Sequence, residues 1–288
     1  MSLRTSKSMS KIHLNHRSNV NTYHFNEKEI VIYDDHRYIL NIVFILRKNG
    51  IIDQPIDLIY FDYHQDKCPV KKSIKKRAKK FELSKIPIEE FYSLVEFELN
   101  PLDDDWLLTG MELDLINNAV VIGAEDGSPE IGHEEYVDQR EGVHNFYSIP
   151  HLNFSLGSRG CLGDHVIKKD YYNKIRMFFG YNTEFSDRFT VNIDRPFILD
   201  FDLDCFSGQF RNKHIAWPEE MFETELRKRV GYDSISPYNF ITQLIDSSQL
   251  VTICREPNCC GGIGEANKIL SYLDKYLFES SLNTKPFT

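Results

Sequence analysis

No stretch of the 288-residue chain holds the ~18–20 consecutive apolar residues that a membrane-spanning helix needs, so no segment is expected to cross a bilayer. The opening residues, MSLRTSKSMSKIHLNHRS, are polar and basic with no apolar centre. A flexible tail over 1–18, with no secretory signal, is the expectation. Cysteine is scarce and scattered: Cys68, Cys161, Cys205, Cys254, Cys259 and Cys260. This is no disulfide framework, and reduced thiols in a cytoplasmic protein are the expectation. CREPNCC carries C-x4-C spacing, but no second Cys/His pair follows it, so a structural zinc is not expected there. An excess of basic charge is also missing. Against 34 Lys and Arg stand 43 Asp and Glu, a net charge of −9, which argues against nucleic acid as a partner and favours cationic ligands. Finally, no internal repeat and no Gly/Ser/Pro linker divides the sequence, so residues 19–288 read as one domain.

What is present is a series of short apolar runs, each ending in polar residues. EIVIYDDH (29–36), DLIYFDYHQD (57–66), NAVVIGAEDG (118–127), RPFILDFDLDCFSG (195–208) and SQLVTICREP (248–257) have the look of buried parallel strands. Helical patterns lie between them. RYILNIVFILRKNG is closed by Gly50, and another helix is expected around 102–116. WPEEMFETELRKRV and SPYNFITQLIDSS both place Pro in the first turn, the second behind Ser236 as N-cap. IGEANKILSYLDKYLF puts Ile263, Ala266, Ile269, Leu270, Leu273 and Leu277 on one face. Strands alternating with helices predict an α/β fold: a three-layer α/β/α sandwich around a central, mainly parallel sheet. Residues 126–165, rich in Gly, His and acids, read as an insertion.

Ligands of such sheets bind beyond the carboxyl ends of the strands. Three of the runs end there in acids or histidine. Asp62, His64 and Asp66 close the second run, Asp200, Asp202 and Asp204 the fourth, and His36 follows the first. If the chain stays extended, alternation puts each triplet on one side and turns Tyr63 and Gln65 away. Burying so many carboxylates uncompensated costs several kcal/mol each. No Lys or Arg stands within either triplet. Divalent cations would neutralise them, and an O/N donor set suits Mn²⁺ better than a structural zinc.

Asp62-Tyr-His64-Gln-Asp66 resembles the D-x-H-x-D motif of the arginase/ureohydrolase fold family, and Phe201-Asp202-Leu203-Asp204 its F-D-x-D motif. Asp35-His36 is similar to the family's D-H pair. Thr252-Ile-Cys-Arg-Glu256-Pro is similar to the T-Y-R-E-G segment whose Glu holds the substrate guanidinium. These motifs span residues 35–256 in the family's order. The resemblance implies a centre of two Mn²⁺ ions. His36, Asp62, Asp66 and Asp202 would hold one; Asp62, His64, Asp202 and Asp204 would hold the other, with Asp62 and Asp202 shared. There are departures. The glycines before D-H are absent, the final Asp-Pro of the second motif is replaced by Cys205-Phe206-Ser207-Gly208, and Asp200 is an extra acid that could replace Asp202 or Asp204 as ligand. The segments by which free-arginine arginases read the α-amino and α-carboxylate groups are not recognisable. The sequence looks more like the divergent peptide arginases, which convert arginine side chains of ribosomally made precursor peptides to ornithine and urea.

On that resemblance Asp66 would orient the attacking hydroxide, Glu256 would grip the guanidinium, and His133, with His144 behind it, would deliver the proton to the departing amine. The expected partner is an arginine-containing precursor peptide, in a protein able to form a homo-oligomer. KKSIKKRAKKF (71–81) predicts a basic helix with an apolar stripe of Val70, Ile74, Ala78 and Phe81; it reads as a solvated face or as a dock for an acidic leader segment. The rival expectations are a one-metal deacylase of the same fold and a non-catalytic binding protein that has kept the fold.

Overall fold

The computed structural model describes residues 20–100, 104–123, 132–149, 195–211, 213–227 and 237–283. The expected tail over 1–18, the Ser236 cap, Cys161 and most of the insertion-like stretch lie outside them. The described chain runs β1 (Asn21–Phe25), β2 (Lys28–Tyr33), a 3₁₀ turn (His36–Tyr38), α1 (Ile39–Lys48), β3 (Ile56–Phe61), α2 (Lys72–Ala78), α3 (Ile88–Glu98), α4 (Trp106–Glu112), β4 (Ile116–Ile122), β5 (Gly132–Val137), β6 (Val143–Ile149), β7 (Phe197–Asp202) and a second 3₁₀ turn (Leu203–Phe206). The hairpin β8 (Ser207–Phe210) and β9 (Lys213–Ala216) follows, then α5 (Glu219–Arg227), α6 (Pro237–Ser247), β10 (Leu250–Cys254), α7 (Pro257–Cys260) and α8 (Ile263–Leu277).

Eight strands form one sheet in the order β1-β2-β10-β7-β3-β4-β6-β5. The inner neighbours are all parallel, and only β1 against β2 and β5 against β6 are antiparallel. Alternation along each strand divides the core in two. Ile59, Phe61, Leu199, Phe201 and Ile253 pack with α5, α6 and α8 on one face. Leu58, Tyr60, Ile198 and Cys254 pack with α1 to α4 on the other. Both faces of the inner strands are therefore covered, as parallel sheets require, and the architecture is a three-layer α/β sandwich.

The five expected strands are present, at shifted ends. Three other strands of this sheet, β1, β5 and β6, were not anticipated, and neither was the β8–β9 hairpin. β1 pairs with β2 through a two-residue turn at Asn26 and Glu27, both in the left-handed region at φ +46° and +66°. β5 and β6 come from the stretch read as an insertion, whose described part extends the sheet beyond β4. Gly50, at φ +66°, does close α1, and its N–H donates to the Arg47 carbonyl. α8 buries its expected face except Ile263, which is exposed at its N-terminus. α2 turns Ile74 and Ala78 inward as expected, with Val70 and Phe81 also buried. Among the described residues no helix is long and apolar enough to cross a membrane.

Candidate metal centre

Four adjacent strands, β2, β10, β7 and β3, end on the same edge of the sheet, and the chemistry-bearing side chains leave from their carboxyl ends. His36 comes from the 3₁₀ turn after β2. This turn is capped by Asp35, whose carboxylate accepts from the Arg37 backbone N–H at 3.1 Å and grips the Arg37 guanidinium at 2.6 Å. The cap fixes where the imidazole enters the site.

His36 is fully buried. Its Nε2 meets Asp200 Oδ2 at 2.9 Å. Asp200 also accepts from the Tyr33 hydroxyl at 2.9 Å and from the Thr252 hydroxyl. Register explains the grouping: Asp200 lies opposite Thr252 on one side and Tyr60 on the other, all on the α1–α4 face. Asp200 is thereby spent behind the histidine, where it orients the ring. Among the described residues it is in none of the groups that could hold a cation, whereas Asp202 and Asp204 are.

The other ring nitrogen, Nδ1, faces three carboxylate oxygens: Asp66 Oδ2 at 3.0 Å, Asp202 Oδ2 at 3.2 Å and Asp62 Oδ2 at 3.5 Å. None of the three is aligned for a hydrogen bond, and Nδ1 and Asp62 Oδ2 are left without a hydrogen-bond partner. A second group adjoins the first. His64 Nδ1 lies 3.1 Å from Asp204 Oδ2 and 3.9 Å from Asp62 Oδ1. Asp62 thus belongs to both groups. Glu256, held at φ +34° where β10 gives way to Pro257, joins His36 and Asp202 on one side and Asp204 and Cys259 on the other.

Alternation predicts the convergence of Asp62, His64 and Asp66 for the wrong reason. β3 ends at Phe61, and Asp66 sits in the left-handed region at φ +51°. The loop is shaped by its own bonds: the His64 N–H donates to Asp62 Oδ1 at 2.7 Å, the Tyr60 hydroxyl to the Gln65 carbonyl at 2.6 Å, and the Tyr63 N–H to Asp204 Oδ1 at 3.2 Å. Trp106 Nε1 donates to Asp66 Oδ2 at 2.5 Å from inside the α1–α4 layer. Tyr63 does not point away; it lines a pocket of about 180 Å³ with His64, Asp204, Ser207, His214 and Cys259. Gln65 does leave the site and is buried near Ser148.

His133 and His144 are not brought into this cluster. His133 stacks on Tyr147 at 4.5 Å and pairs with Asn145 at 2.9 Å on the edge strand β5. His144 is buried between the Asn117 carbonyl and Asp138. Sequence reasoning missed Trp106, Tyr33, Thr252, His214 and Cys259. Thr252 and Cys259 stand inside quoted segments without being singled out there, because what qualifies each of the five is a neighbour distant in sequence.

The electrostatics of the cluster are those of a site short of positive charge. Among the described residues no lysine or arginine reaches the five acids; Arg37 is held by Asp35 and Arg255 by Asp34. Burial and then the Asp66, Asp202 and Asp204 charges push the Asp62 carboxyl well up. Burial and Asp204 push Asp202 up to about 7. Burial also raises Glu256, with Asp202 and Asp204 adding to it. Burial works against a charged His36, but Tyr33 and Asp200 outweigh it and the ring is held protonated well above its usual range. At His64 burial is likewise outweighed, by Asp204, and the ring is raised to about 9. Without another cation, protons must fill the site.

These donors fit divalent cations. Two overlapping groups of carboxylate and imidazole atoms, each within 4.8 Å of one another, face orphaned, buried polar atoms. Because the Trp106 indole aims Asp66, Trp106→Phe should weaken cation binding about ten- to a hundred-fold while leaving the fold intact. A competition titration with a chelating dye measures it; unchanged affinity would remove Trp106 from the site. No protein-family model matches the chain, and no match is found among the curated proteins.

Proposed function

We propose that the protein is an arginase-like hydrolase with a dinuclear centre, cleaving the guanidinium of arginine side chains within a peptide to give ornithine and urea. The observation that carries this reading is Asp62, fully buried and shared between two cation-ready groups, with Glu256 beside both. His36, Asp62, Asp66 and Asp202 would hold one ion, and Asp62, His64, Asp202 and Asp204 the other; manganese is the expected metal. Two such ions supply Lewis acidity and a water acidified to near neutral pH, which attack on the weakly electrophilic guanidinium carbon demands.

The chain's own residues do the rest. Glu256, on its strained, Pro-braced turn, is placed to pair with the guanidinium and fix its angle to the cluster. Asp66, aimed by Trp106, accepts a hydrogen bond from the attacking water. Tyr63, beside His64, gives the pocket an aromatic wall for a cation. The departing amine needs a proton. His133 and His144, the relay expected from the sequence, sit at the β5–β6 edge, and His214 at the pocket is better placed to deliver it.

No lysine or arginine among the described residues lines the pocket, and the preference for a side chain over a free amino acid rests on the resemblance to the peptide arginases. Incubating the Mn²⁺-loaded protein with an arginine-containing peptide should remove a CN₂H₂ unit, about 42 Da by mass spectrometry, per arginine hydrolysed. Free arginine should be a poor substrate. Acetyl loss from an acyl-lysine peptide, with one metal per chain, would establish the deacylase reading instead.

A further inference from the structure

The pocket wall contains a donor that the two-cation reading leaves unused. Asp204, Glu256 and Cys259 each offer a ligand atom within 4.8 Å of the other two. The two adjacent cysteines of α7 are not equivalent. Cys260 is buried and its thiol donates to the Arg255 carbonyl at 3.2 Å, back toward the core. Cys259 is half-buried and faces the pocket beside His64 and Asp204. Its position is pinned from two sides. The Cys259 N–H donates to the Glu256 carbonyl at 3.0 Å. Gly261, at φ +93°, lets the His214 carbonyl of β9 approach to where a Cβ would stand only 1.9 Å away.

We infer that Cys259 is a thiolate ligand of the second cation, so that the position at Asp204 has a mixed O/N/S donor set. The inference rests on the reading of this cluster as a metal centre. A second observation supports a ligand here independently of the thiol: Asp204, 2% exposed, has an Oδ2 with no hydrogen-bond partner, and it belongs to the same triplet. With no cation present, burial and the charges of Glu256 and Asp204 keep the thiol protonated. A divalent ion reverses that balance: the S–H bond is replaced by a metal–sulfur bond and the proton goes to solvent. The two positions then differ in character. The one at His36, Asp62 and Asp66 has only hard oxygen and imidazole donors, whereas a thiolate shifts the other toward borderline ions such as Zn²⁺ or Co²⁺.

Titrating the metal-free full-length chain with Co²⁺ tests this by absorbance. The expected spectrum has visible ligand-field bands and a near-ultraviolet thiolate-to-cobalt band. Cys259→Ser should keep the first and lose the second, while Cys68→Ser, at an exposed thiol remote in sequence, should keep both. In the wild-type chain Zn²⁺ should also slow alkylation of Cys259 and leave that of Cys68 unchanged, a readout that survives if the serine variant fails to fold. Ligand-field bands without a charge-transfer band, or a charge-transfer band that persists in Cys259→Ser, would overturn the thiolate assignment and leave the metal centre standing. No cobalt bands at all would overturn both.

Discussion

Mn²⁺ should raise the thermal midpoint of the metal-free protein strongly at about pH 8 and barely at about pH 5. The reason lies in which protons the cluster holds. Asp202 is raised from its ordinary 3.8 to about 7 by burial and by Asp204, and Asp62 and Glu256 are raised by the same kinds of neighbour. A carboxylate with a raised folded pKa binds more protons folded than unfolded. Its penalty is absent at low pH and grows as pH climbs from the unfolded value through the folded one. For Asp202 alone the shift is on the order of 4 kcal/mol, fully felt above about pH 7. His64, raised to about 9, has the same slope: its stabilising pairing with Asp204 is complete below the unfolded value of 6.5 and lost as pH rises through about 9. Between them, Asp202, Asp62, Glu256 and His64 therefore destabilise the metal-free chain progressively as pH rises from about 4 to about 9. Cation affinity rises over the same span, because the same ligands must shed their protons to bind. Differential scanning calorimetry with and without Mn²⁺ at the two pH values measures the contrast. Equal shifts at both would mean that the ion binds elsewhere.

The parallel core was legible because its strands are apolar on both faces and end abruptly in acids. Ile59, Phe61, Leu199 and Ile253 have no other place to go. The outer strands were not legible. β1 turns into β2 at Asn26-Glu27, which lacks the glycine that marks such turns, and β5 is an edge strand with exposed Glu134 and Glu135 and little apolar signal. At the site, the acids and histidines stood out because that many ligand-type side chains at strand ends need compensation. Their division of labour did not. Asp200 and Asp202 look alike in sequence, and only the register of β7 against β10 and the turn placing His36 separate the residue behind the ring from the one that faces the cluster. Trp106 and Cys259 were invisible for a related reason. Each acts through a partner that reaches it only in the folded chain, Asp66 across 40 positions and Asp204 through the α7 turn.

Asp62→Asn should separate folding from chemistry more sharply than any other change. Asparagine keeps the volume and an oxygen able to accept the His64 N–H that Asp62 Oδ1 now binds at 2.7 Å. It removes the ionisable carboxyl from a fully buried position where burial and the Asp66, Asp202 and Asp204 charges all oppose its ionisation. In the metal-free protein near pH 8 the variant should therefore melt no lower than the wild type, and by the like-charge argument higher. With Mn²⁺ the order should invert, because the shared ligand of both groups has lost its charge and neither ion is held. Arginine hydrolysis should then fall by about three orders of magnitude or more, since the several kcal/mol supplied by the metal pair are lost together. Three quantities settle it: metal content by elemental analysis, the melting midpoint with and without Mn²⁺, and ornithine formed per chain. A residue that merely completes the core would lower the metal-free midpoint and leave activity in the folded fraction. A variant that keeps two ions and full turnover would refute the dinuclear reading, because Asp62 stands in both the His36–Asp66 and the His64–Asp204 groups.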